Sequence, residues 1–144
     1  MKIRSKTGAF ALAAALSTIL PLAVQAADPI RGGEWQFTTH MQIPGMPQQA
    51  GGEGMTRTAC IDPVNPIPAD AQCKLDSVNR NGSVVTWAMT CNSPRGPIHS
   101  SGSARYAGET MQASLTSRIP GPNGQPTDAP GTITGRYLGP CGAK

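Results

Sequence analysis

Four cysteines, Cys60, Cys73, Cys91 and Cys141, carry the most chemistry in this 144-residue chain. Four thiolates can hold zinc, but such sites are built from close CxxC-type pairs, and no two of these cysteines stand that near each other. In an oxidising compartment the same residues close two disulfides instead. His40, Met41, Met46 and Met55 form a second cluster, since imidazole and thioether are soft ligands that suit Cu(I). Two facts weigh against a copper site: neighbours on a strand, such as His40 and Met41, point to opposite faces, and methionine is a flexible filler of loosely packed apolar regions. These residues read first as structural, with copper or metal handling as the alternative.

His40 and His99 are the only histidines. A hydrolytic triad would set His99 beside a nucleophile and a carboxylate, and Ser100, Ser101 and Ser103 are near in sequence, but no GxSxG elbow accompanies them. The serines read as the polar face of a solvated strand, and a hydrolase using His99 is a third reading. Glu34, Glu53, Asp62, Asp70, Asp76, Glu109 and Asp128 are scattered singly, without the paired carboxylates of acid–base catalysis or a calcium-loop pattern. The sequence thus points to no catalytic residue and no cofactor. Asn81-Gly82-Ser83 matches a glycosylation acceptor formally, but it reads as a hairpin turn.

Disulfides require export, and the N-terminus supplies the signal. Lys2, Arg4 and Lys6 precede an uncharged run from Thr7 to Val24, Pro21 interrupts its apolar helix, and Val24-Gln25-Ala26 offers small residues to signal peptidase. We expect a signal peptide over 1–26 and a single β domain over 27–144, periplasmic or secreted, with no permanent membrane span after cleavage. Cleavage removes three of the twelve basic residues and leaves nine against eight acids. Arg31, Arg57, Arg80, Arg95, Arg105, Arg118 and Arg136 are spread singly, so no basic footprint for nucleic acid remains. The domain has few large apolar groups, and its aromatics are Trp35, Phe37, Trp87, Tyr106 and Tyr137.

Period-two alternation punctuated by Gly, Pro, Asn and Asp predicts an all-β fold of about seven antiparallel strands, in a curled sheet or open barrel with one dry face. Gly33 to Met41 reads as the first strand, Met55 to Cys60 as the second and Gly131 to Leu138 as the last. Between them, Cys73 to Val78 and Val84 to Cys91 make a hairpin around Asn-Gly, and Ile98 to Tyr106 with Thr110 to Ile119 make another around Ala107-Gly108-Glu109. A three-residue loop centred on Gly82 sets Cys73 against Cys91, Leu75 against Met89 and Ser77 against Trp87. That register predicts a Cys73–Cys91 bridge and leaves Cys60–Cys141 by exclusion, although four cysteines allow three connectivities. Each such bridge is worth about 3 to 5 kcal/mol, comparable to the stability a thin core can supply, so reduction should loosen or unfold the domain. Pro44 to Gly54, Ile61 to Gln72 and Pro120 to Pro130 read as surface loops, the middle one stiffened by three prolines and with room for a helical turn near Ala69-Asp70-Ala71.

Gly33-Glu34-Trp35 with Thr38 and Met41, the Pro44-Gly45-Met46-Pro47 loop, Cys60 and Gln72-Cys73-Lys74 make a recognisable series. It continues through Gly82, Trp87, Cys91, Gly102, Tyr106 and Gly108 to Gly135-Arg136-Tyr137-Leu138-Gly139-Pro140-Cys141. The pattern, about 33–141, resembles the bacterial exported domain-of-unknown-function family 3617. The resemblance implies export and a single β domain, and it transfers no catalytic or binding residue. From the residues themselves, the leading expectation is a non-enzymatic binding or envelope-associated module for a small apolar ligand or an envelope protein. Trp35, Phe37 and Trp87 would line a shallow apolar groove. The competing reading is that these three aromatics simply form the core.

Overall fold

A computed structural model describes residues 30–45, 54–121 and 123–142. The expected signal peptide over 1–26, together with Met46 and Glu53, lies outside the described residues. Seven strands follow one another: β1 (Gly33–Met41), β2 (Met55–Ile61), β3 (Cys73–Asn81), β4 (Val84–Cys91), β5 (Ile98–Ala107), β6 (Thr110–Pro120) and β7 (Pro126–Gly139). They form one sheet in the order β2-β1-β7-β6-β5-β4-β3, antiparallel throughout. Strands β2 and β3 are its two edges, and the sheet curls into an open half-barrel between them. No helix occurs among the described residues, so none there is long and apolar enough to cross a membrane.

Alternation decides which face is dry. Trp35 and Phe37 on β1, Val85 and Trp87 on β4, Ala104 and Tyr106 on β5, and Met111 and Ala113 on β6 are all buried on the concave side. The intervening positions, such as Thr86, Arg105, Gln112, Thr132 and Thr134, face solvent on the convex side. Large and small residues are matched across strands so that the aromatic rings can lie over the sheet. A Cβ added to Gly102 would stand 2.6 Å from the Trp87 ring, and one added to Gly135 would stand 3.1 Å from the Phe37 ring. Any side chain at Gly102 displaces Trp87.

Both expected disulfides are present, Cys73–Cys91 and Cys60–Cys141. Cys73 pairs with Cys91 and Leu75 with Met89, but beyond Leu75 the expected register fails. The turn has two residues, Gly82 and Ser83, with Gly82 at φ 60° and no positive φ at Ser83, the type II′ pattern. A compensating irregularity between Leu75 and Ser77 absorbs the one-residue difference, so Trp87 faces Val78 and Ser77 faces Ala88. The slip keeps the cysteines paired while giving the tryptophan an apolar neighbour. The second hairpin turns the same way on Gly108, also at φ 60°.

Two loop expectations are also corrected. Strand β7 starts at Pro126, not Gly131, and β6 runs on to Pro120 beside it. Strand β1 ends opposite Gly131, so the Pro126–Pro130 stretch has only β6 as a strand neighbour, and a proline there can turn its missing N–H away from the ladder. Residues 62–72, joining the two sheet edges, are not wholly a surface loop: Pro66 and Ile67 are buried against the concave face. The expected helical turn is instead a turn in which the Asp70 backbone carbonyl accepts from the Cys73 N–H and its carboxylate from the Gln72 N–H.

Candidate functional site

The 62–72 segment forms a strap from β2 to β3 across the opening of the half-barrel. Pro63, Pro66 and Pro68 keep their neighbours extended, and a sheet side chain donates to the carbonyl of each. Arg80 Nη1 on β3 donates to Pro63 O at 2.7 Å, Tyr106 Oη on β5 to Pro66 O at 2.9 Å, and Arg57 Nη2 on β2 to Pro68 O at 3.1 Å. Tyr106 is 3 % exposed, and burial raises its phenol pKa to about 12, so it remains a donor across the physiological range. Both roots of the strap are stapled, since Cys60 immediately precedes Ile61 and Cys73 follows Gln72.

Beneath the strap lies a cavity of about 230 Å³. Met111, Leu115 and Ile133, on the central strand β6 and its neighbour β7, form its floor. Phe37 on β1 and Trp87 on β4 flank that floor, and Pro66 and Ile67 roof it. Met55 and Arg57, which face inward from the edge strand β2, stand at the rim. Polar groups are few. Ser100 lines one side and shares a 2.7 Å hydrogen bond with Ser117. The arrangement is an apolar chamber with a single guanidinium at its edge and no acid–base pair pointed into it.

Phe37 and Trp87 therefore meet in the chamber, whereas Trp35 lies behind its wall. Trp35 is fully buried, edge-on to Tyr106 and Tyr137 at 5.4 and 5.7 Å, and its indole N–H donates to Arg31 O at 3.0 Å. The metal candidates do not converge: His40 is exposed on the convex face, Met41 is half-buried on the opposite face, and Met55 is 77 % exposed at the rim. Met46 lies outside the described residues. No group of three or more His, Cys, Asp or Glu that could hold a metal occurs among the described residues.

His99 sits in a polar ladder across three strands. Its Nδ1 lies 3.0 Å from Thr90 Oγ1, and Thr90 Oγ1 donates to Asp76 Oδ2 at 2.6 Å. The hydroxyl proton thus goes to the carboxylate, and the imidazole is left to donate to the hydroxyl. A general base must take a nucleophile's proton, so this order does not activate Thr90.

Sequence reasoning missed Arg57, Tyr106 and the strap. The available signal for the strap was Ile67, an apolar residue between prolines in an otherwise polar segment; for Arg57 it was its inward phase on β2, two residues before Ala59. The two disulfides are consistent with an oxidising extracellular or periplasmic environment. No curated protein and no solved structure matches this chain. Residues 30–141 match the family described as "Protein of unknown function (DUF3617)", and a match over that much of the chain makes it a member of that family.

Proposed function

We propose that this protein is an exported, periplasmic binding module without enzymatic activity, and that it holds a small apolar ligand between the concave face of its sheet and the proline strap. One observation carries the reading: a chamber of about 230 Å³ walled by Phe37, Trp87, Met111, Leu115 and Ile133 in a protein otherwise short of apolar side chains. An apolar core packs to crystal-like density, and a hollow of this size forgoes contacts that filling it would recover. Ligand sites have this composition, mostly apolar walls with few polar groups. Neither the metal reading nor the hydrolase reading has a comparable convergence of side chains.

The test is titration of the oxidised mature chain with the neutral, environment-sensitive dye N-phenyl-1-naphthylamine. Dye emission should rise to saturation with one equivalent. Ala104→Leu, which projects extra carbons into the chamber, should abolish the rise while leaving the β circular-dichroism signature intact. No saturable rise, or a rise indifferent to Ala104→Leu, contradicts the proposal.

A further inference from the structure

Arg57 is the one charged side chain in the chamber lining, and its position is not a requirement of the fold. On β2 the residues opposite Trp35, Phe37 and Thr39 are Ala59, Arg57 and Met55, so Arg57 occupies an inward position, as Arg80 does opposite Val85 on the other edge strand. Because β2 is an edge strand, an inward side chain there stands where the chamber opens to solvent. Its Nη2 donates to Pro68 O, and among the described residues no carboxylate lies within ion-pair distance of it.

Arg80 gives the comparison. It too donates to a strap carbonyl, but its Nε also donates to Gly82 O, and it does not line the chamber, so holding the strap and the hairpin accounts for it. Arg57 holds the strap with one N–H and leaves the rest of its planar fork at the mouth of an apolar space. A guanidinium there suits a carboxylate or phosphate, which it can bind through two parallel hydrogen bonds.

Resting on the binding reading above, we propose that the ligand is a single-chain amphiphile whose tail enters the chamber and whose small anionic head, carboxylate or phosphate, docks on Arg57. The volume sets the tail: about 230 Å³, at ~30 Å³ per water-sized group, takes on the order of eight methylene-sized groups. A medium-length chain fits, with its last carbons and head at the rim beside Met55 and Arg57.

Competition against bound N-phenyl-1-naphthylamine, with all amphiphiles kept below their micelle concentrations, tests this. Decanoate, decyl phosphate, decanol and decyltrimethylammonium share a chain length and differ in head. At least one of the anions should displace the dye at about one tenth of the decanol concentration or less, as a charge-assisted hydrogen bond allows. The cationic surfactant should be the weakest, and the better of the two anions identifies the head. Arg57→Gln should erase the anion's advantage over decanol measured in the same variant, and Arg57→Lys should keep part of the advantage. Anions no better than decanol, or an advantage that survives Arg57→Gln, overturns the assignment. Dye binding with no displacement by any ten-carbon chain overturns this inference alone, whereas no dye binding removes the apolar-ligand reading itself.

Discussion

Trp35 and Phe37 are two residues apart on one strand and face the same side of one sheet, yet they stand in opposite kinds of surroundings. Around Trp35 the half-barrel is filled: Ile30, Ile61, Tyr106 and Tyr137 close on it, and Arg31 stacks on the Tyr137 ring at 4.2 Å while pairing with Glu109. Around Phe37 it is hollow, because the strap bridges the space between the walls instead of filling it. The large apolar residues are thus divided between a packed end and the walls of a hollow in the middle of the concave face.

Truncating the two tryptophans separates the halves most sharply. Trp35→Ala removes a fully buried ring from the packed end and should cost about 3–5 kcal/mol, enough to unfold much of a domain this thin. Trp87→Ala removes a ring that already borders empty space and loses fewer contacts, so its cost should be smaller and its main effect the loss of dye binding. Urea unfolding of both variants, with dye titration of the folded one, measures the contrast. Equal destabilisation by the two substitutions would erase the distinction.

A smaller effect sharpens the role of the strap. Tyr106 titrates at about 12 in the fold against 10.0 in its ordinary state. Between these values the folded protein holds a proton that the unfolded chain has released, so stability is complete below pH 10 and falls as the pH rises through about 12. Tyr106→Phe should remove that alkaline loss. At neutral pH it should cost about 1 kcal/mol from the missing bond to Pro66 O. Urea midpoints at pH 7, 10 and 11.5 check both, and an unchanged alkaline decline in the variant assigns that decline to another group.

The strand pattern and the Cys73–Cys91 bridge were legible because alternation and hairpin register are local, and Cys60–Cys141 followed only by exclusion. Cys73, Leu75, Met89 and Cys91 were paired correctly from sequence. The register of Ser77 was not, since an irregularity after Leu75 and a shorter turn cancel at the cysteines and leave no trace in the spacing. Prolines misled in both directions. Pro126 and Pro130 read as loop breakers although β7 runs through them, and Pro66 read as surface although it is fully buried. Alternation also identified Trp35, Phe37 and Trp87 as inward-facing, but only the fold separates the two at the chamber from the one in the core, because that depends on where the strap crosses the sheet. Arg57 was hidden for the same reason, as a lone arginine on an edge strand looks like any solvated charge.

If the hollow half takes up an apolar molecule and the packed half does not, the two tryptophans must report it differently. Two single-tryptophan proteins, Trp35→Phe and Trp87→Phe, titrated with the neutral contact quencher 10-bromodecanol, test it most directly. Saturable quenching of the Trp87 emission is expected in the first protein, with little change of the Trp35 emission in the second. Quenching of neither, or of both to the same extent, would contradict it.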